Sequence, residues 1–275
     1  MTFGLKIFLL TAISCLSACR YGPNTDDLSV SSHSHVVGGR EAPQHAYPFM
    51  VSIFGESSRQ TICGGSLIAP KVVLTAAHCL SEVWFPASKY SIRIGKHNMI
   101  QKEDSEETIK IAKIVTHPDF SAGDRGFKND IALIFLREKS KFAPIKLNRN
   151  HALPESGSML RVIGWGFIHE EAFYIPQNTL LEVDLPVVDN ETCRGLNREF
   201  DIQESQLCAG YLDGNTKKDA CNGDSGGPLF SPDGERFLFG IISGGSGCAR
   251  PKLPAFYTRV SHYVDWIERK IGPLP

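Results

Sequence analysis

The sequence has no surplus of charge of either sign. Its 29 Lys and Arg stand against 30 Asp and Glu, a formal net charge of −1. Nothing in that balance points to nucleic acid or to an anionic membrane surface as a partner, since both are held by a basic excess. It has no Cys-x-x-Cys pair, and its cysteines lie far apart, which excludes the usual spacing of a zinc site. Beyond one short N-terminal run it has no apolar stretch that could cross a bilayer. Internal repeats are missing, and so is low-complexity sequence outside one polar tract. What is left is ordinary: 275 residues, 42% hydrophobic and 21% charged, the composition of a globular protein. Function has to be sought in local sites.

The N-terminal run reads as an export signal over residues 1–18. Lys6 supplies the positive start, Ile7 to Leu16 is mostly apolar, and the next charge is Arg20. The stretch Leu16-Ser17-Ala18-Cys19 resembles the lipobox of bacterial lipoproteins, in which the cysteine is acylated and becomes the first mature residue. On that reading Cys15 leaves with the signal and Cys19 carries lipid. Six of the eight cysteines then remain, an even number for an oxidising compartment. Ordinary cleavage after Ala18 would leave one thiol unpaired. Residues 19–35 are polar and rich in Ser, Asp and His, a flexible tether. From Val36 to Pro275 the composition is globular, 240 residues that can bury a sizeable core. The expected location is secreted or in the cell envelope, with a lipid anchor holding the chain before activation.

Short alternating or apolar runs fill the globular part. Ser91-Ile92-Arg93-Ile94, Glu182-Val183-Asp184-Leu185 and Phe237 to Ile242 are examples, punctuated by Gly, Pro, Asn and Asp. That rhythm predicts an all-β sandwich or barrel. One helix stands out, at the C-terminal end. Ser261 is placed to cap it, Tyr263, Val264, Ile267 and Ile271 make one apolar stripe, and Gly272-Pro273 stops it.

Three segments carry chemistry. Thr75-Ala76-Ala77-His78-Cys79 sets a histidine among small residues, and Asn129-Asp130-Ile131-Ala132-Leu133 puts a lone acid at the head of an apolar strand. Gly223-Asp224-Ser225-Gly226-Gly227-Pro228 holds a serine between glycines, where the backbone can turn sharply and approach a ligand. Nucleophile, base and orienting acid are what amide hydrolysis at neutral pH requires. Singly, each has a plain structural explanation: a surface histidine, a strand-end charge, a turn.

Together, in the order His, Asp, Ser, they resemble the chymotrypsin-trypsin family. Tyr47-Pro48, Cys63 to Leu67, Gly164-Trp165-Gly166, Leu207 to Gly210 and Tyr263 to Ile267 extend the likeness over nearly the whole globular region. The resemblance implies two six-stranded antiparallel β-barrels with a C-terminal α-helix, the site lying in the cleft between the barrels. It implies a serine endopeptidase on protein or peptide substrates, with His78 as base, Asp130 orienting it and Ser225 attacking. The backbone N–H groups of Gly223 and Ser225 would form the oxyanion hole. Disulfides Cys63–Cys79, Cys193–Cys208 and Cys221–Cys248 are implied, and no cofactor.

The resemblance also places Asp219 at the base of the specificity pocket, implying cleavage after Arg or Lys, with Ser243, Gly245 and Ala255 among the substrate-binding positions. Two departures stand out. Gly244 replaces the usual tryptophan, which would loosen the site, and Ala255 replaces a glycine, which would crowd the pocket. In the loop that binds calcium in relatives, Glu103 and Glu106 match two ligands but Lys96 replaces a third, so no metal is expected. Val36 matches the N-terminus freed by zymogen cleavage, which would pair with Asp224. His35 precedes it, so an activating protease other than a trypsin-like one is expected. The competing reading is a catalytically silent surface lipoprotein that binds a partner through a protease fold; the intact Ser, His and Asp set weighs against it.

Overall fold

A computed structural model describes residues 37–57, 60–81, 87–167 and 177–274. The signal segment, the tether and the sites expected at Cys19 and Val36 lie outside the described residues. Within them strands dominate, for a reason visible in single stretches. From Thr108 to Ala112, Ile109 and Ile111 are buried while Thr108, Lys110 and Ala112 face out, the two-residue period of a strand with one wet face.

After a short strand β1 (Arg40–Glu41), six strands close a first barrel. Its order is β2 (Met50–Gly55), β3 (Thr61–Ala69), β4 (Val72–Thr75), β9 (Ala132–Leu136), β6 (Glu107–Thr116) and β5 (Tyr90–Ile94). A small hairpin, β7 (Ser121–Gly123) with β8 (Gly126–Lys128), sits on the connection from β6 to β9. The second barrel runs β12 (Leu181–Val188), β11 (Met159–Gly164), β14 (Pro228–Phe230), β15 (Phe237–Gly244), β16 (Ala255–Arg259) and β13 (Gln206–Ala209). The pairing of β13 with β12 closes that ring. All pairings around both rings are antiparallel; only β10 (Lys146–Leu147), laid beside β15, is parallel. Val51, Leu67, Val73, Ile92 and Leu133 fill the first barrel, and Val162, Leu185, Leu229 and Tyr257 belong to the second core.

Three helices complete the described fold: α1 (His78–Ser81), α2 (Asn190–Leu196) and α3 (Val260–Ile271). The Asp189 carboxylate caps α2 by accepting the Thr192 N–H at 2.7 Å. The last helix forms where the stripe of apolar residues predicts it, with Tyr263, Val264, Trp266 and Ile267 buried in a cluster that reaches both barrels and the helix lying against β15 and β10. Its start corrects the sequence reading. The helix begins at Val260, directly after β16, and Ser261 lies inside the first turn with its hydroxyl buried and unpartnered. Continuity with the strand, rather than a capping hydroxyl, sets the first turn.

Candidate active site

His78 opens α1 behind Ala76 and Ala77, both fully buried. The Cys63–Cys79 disulfide ties that turn to β3. Its ring Nδ1 lies 2.8 Å from Asp130 Oδ2, and its backbone N–H donates to Oδ1 at 2.8 Å. A carboxylate only accepts, so Nδ1 carries the proton and Nε2 keeps a lone pair directed away from the acid.

Asp130 comes from the first barrel but is clamped by the second. The Ser243 hydroxyl on β15 donates to Oδ2 at 2.6 Å, and the Thr258 hydroxyl on β16 donates to the Asp130 carbonyl at 2.8 Å. Ser243, expected at the substrate pocket, lines the cavity beside Ser225 and gives its hydroxyl to the acid. Asn129, just before it, adopts φ +49°, and its amide group is held between Asp119 and Tyr263. Asparagine tolerates that left-handed backbone.

Ser225 is pinned from both sides. Its carbonyl accepts the Gly64 N–H of β3 at 2.7 Å, and the next residue, Gly226, donates to Ile242 on β15 at 2.9 Å. Gly226 has φ +77°, and a Cβ there would sit 2.2 Å from Thr75 Oγ1. Only glycine fits both the conformation and the gap. Ser225 and His78 line one cavity of about 360 Å³ with Phe127, Asn222, Gly245 and Ala255. A hydroxyl, an imidazole whose Nδ1 is held by a carboxylate, and the basic Nε2 on its other edge can together move one proton off an attacking oxygen.

Among the described residues one group has the compactness of a metal site, Cys63, His78 and Cys79. Both cysteines are spent in a disulfide, so it is not a ligand set. Disulfides Cys193–Cys208 and Cys221–Cys248 also form, and three such bridges belong to an oxidising compartment.

The family model described as Trypsin matches residues 36–267. The chain belongs to the trypsin family. Trypsin from Squalus acanthias is 37% identical over 246 residues, 87% of this chain and 97% of that protein. Trypsin II-P29 from Gallus gallus is 35% identical over 270 residues, 96% and 98% of the two chains. Proclotting enzyme from Tachypleus tridentatus is 34% identical over 264 residues, 89% of this chain and 68% of that protein. This trypsin-family protein is a serine endopeptidase acting on protein substrates.

Two buried acids flank the cavity of this protease. Asp224 accepts the N–H groups of Gly166 at 2.7 Å and Cys221 at 3.0 Å. Among the described residues no cation pairs with it, and burial pushes its carboxyl up to about 6. Asp219 does not itself line the cavity, although its neighbours Ala220 and Cys221 do. Its Oδ2 accepts the Ala249 N–H at 2.9 Å, its own N–H donates to the Val37 carbonyl at 3.2 Å, and its Oδ1 is buried without a partner. Burial pushes this carboxyl up to about 7. The Tyr257 hydroxyl is a second buried oxygen with no partner.

Gly223, expected as an oxyanion donor, has φ +95° and adjoins Asn222, whose carbonyl accepts the Phe167 N–H at 2.8 Å. Gly244, where a tryptophan is usual, is the cross-strand partner of Phe256. A Cβ on it would meet that ring at 2.9 Å, so an aromatic from the neighbouring strand occupies space the missing side chain would need. Sequence reading did not find Phe127. Its ring stacks on His78 with centroids 4.7 Å apart and planes 6° from parallel. It stands in the small β7–β8 hairpin, where no motif or period distinguishes it.

Proposed function

We propose that His78, Asp130 and Ser225 are the catalytic triad of this protease and that it cleaves after Arg, less readily after Lys. The observation that carries the reading is the clamped acid: Asp130 holds His78 Nδ1 at 2.8 Å while Ser225 shares the cavity with the ring. Ser225 Oγ attacks the scissile carbonyl carbon as its proton passes to His78 Nε2. The resulting oxyanion is met by the N–H groups of Gly223 and Ser225, an interaction typically worth about 3 kcal/mol per donor. Collapse expels the amine, which takes the proton from His78. Water, activated by the same base, then releases the acyl group and restores Ser225.

The partnerless Oδ1 of Asp219 supports a cationic guest. A guanidinium satisfies it, whereas a neutral side chain leaves a buried acid unpaired. Ala220 offers no hydroxyl to help a shorter ammonium, and the Ala255 methyl crowds the same cavity, which favours Arg over Lys.

Activation follows from cleavage at His35–Val36. The freed α-ammonium, ordinarily with a pKa of about 8, pairs with Asp224 and orders the donors beside Ser225. Because His35 is neither Arg nor Lys, a protease of another specificity makes that cut. If Cys19 is lipidated, the cut also releases the enzyme from its anchor, since no cysteine in residues 20–35 can hold the pieces together.

Ser225→Ala is expected to fold like the parent, as read by circular dichroism, and to lose at least ~10⁴-fold in kcat. Wild-type turnover in the purified variant would refute the triad. A cleavage profile dominated by aromatic residues would refute the pocket. N-terminal sequencing of membrane and soluble fractions tests the activation site: the soluble active form should begin at Val36.

A further inference from the structure

The loop from Lys96 to Glu106 is where the resemblance implies calcium. Calcium takes six to eight oxygen ligands and depends on carboxylates and backbone carbonyls. Here the Lys96 side chain runs into the loop, only 3% exposed. Its ammonium donates to the Gln101 carbonyl and pairs with the Glu106 carboxylate. A carbonyl and a carboxylate are the hard oxygens a divalent ion would use, and a positive charge is already seated on them.

Glu103, the other acid matched to the metal-binding pattern, is also committed. Its Oε2 accepts the His97 N–H at 2.7 Å and its Oε1 accepts the Asn98 N–H at 2.8 Å. It braces the turn instead of facing inward as a ligand. These residues do not fit a calcium ion.

The outer side of the loop supports the frame of the active site. The His97 carbonyl accepts the Trp165 indole N–H at 3.0 Å and the Leu180 N–H at 2.9 Å. The Met99 N–H donates to Asn178 at 2.7 Å. Trp165 leads directly into Gly166, whose N–H holds Asp224 at 2.7 Å. Whatever neutralises Glu106 therefore steadies a chain of contacts ending beside Ser225.

We propose that the Lys96 ammonium is a resident cation that replaces a divalent ion, making this protease indifferent to calcium. One side chain sets that property: with Lys96→Glu the seat loses its cation, gains a second inward acid beside Glu106 and becomes a calcium site. The wild-type enzyme then keeps its fold in calcium-poor or chelating surroundings, where a protease with a metal-filled loop would loosen.

Thermal unfolding in EDTA and in millimolar CaCl₂ tests this, together with calorimetric titration of CaCl₂ into wild type, Lys96→Met and Lys96→Glu. Wild type should unfold at the same temperature in both buffers and give no binding heat. Lys96→Met should unfold about 5 °C lower in both. Lys96→Glu should be destabilised in EDTA, bind Ca²⁺ and regain several degrees with it, while MgCl₂ at equal concentration restores less. A wild-type midpoint that falls in EDTA and recovers with CaCl₂ would overturn the proposal, and that comparison needs no variant. So would a Lys96→Met protein as stable as wild type, or a folded Lys96→Glu protein that ignores calcium. None of these readouts depends on the catalytic or specificity assignments.

Discussion

Burial pushes the Asp219 carboxyl up to about 7, so near neutrality the substrate-free enzyme carries it close to half protonated. A guanidinium needs the charged form, and a proton on Asp219 removes that attraction. The expected signature is a ratio: kcat/KM for an Arg peptide over that for its neutral citrulline isostere. As pH falls through about 7, the ratio should drop, while the base and every other shared titration cancel in it. A ratio flat from pH 8 to 5 would remove Asp219 from substrate recognition. Ser243 is a second residue whose part can be read by kinetics. Its hydroxyl gives Asp130 a hydrogen bond of 2.6 Å from the opposite barrel, and bonds to charged groups are worth about 1.5–3 kcal/mol. Ser243→Ala should lower kcat roughly tenfold or more with little change in KM, because the acid orients the base and does not touch substrate. A variant that raised KM alone would place the hydroxyl in the pocket instead.

Between strands, the unit that matters is the pair Gly244–Phe256. These residues face each other across β15 and β16, and the Phe256 ring also packs on Phe200, with centroids 5.0 Å apart. Restoring a tryptophan at 244 would drive its Cβ to 2.9 Å from the ring. Gly244→Trp alone should therefore lose about 1–3 kcal/mol of stability to overpacking. Combined with Phe256→Val, most of that loss should return, a coupling that a double-mutant cycle in denaturant measures directly. Additive losses would mean that the ring does not decide the choice of glycine. The hairpin β7–β8 acts on the same cleft from the other barrel, by laying Phe127 on His78.

Asp224 connects site chemistry to the stability of the whole molecule. Its folded value, about 6, lies above its ordinary 3.8. Such a carboxyl contributes fully to stability below pH 3.8 and loses that contribution as the pH rises toward 6. By linkage, the uncut chain gives up about 3 kcal/mol over that window. After cleavage at His35–Val36 the new α-ammonium would offset this loss. Urea unfolding of cut and uncut Ser225→Ala protein should show the cut form more stable above pH 6, with the two converging below pH 4. A gap of constant size across that range would separate Asp224 from activation.

Much of this molecule was legible one segment at a time. Strand periods, the apolar stripe of the last helix and the glycines around Ser225 are local, because backbone geometry and turn sterics act over a few residues. Motif order from His78 through Asp130 to Ser225 carried the family, and with it the two-barrel fold. The sequence also set Lys96 against the acids of its own loop, since those partners lie within ten positions. Tertiary structure alone decided the rest. Ser243 reaches Asp130 across 113 positions, and Phe127 meets His78 across 49. The Phe256 ring lies against Gly244 only because two strands pair in that register. Packing and register join residues by position in space, and sequence distance does not encode that position.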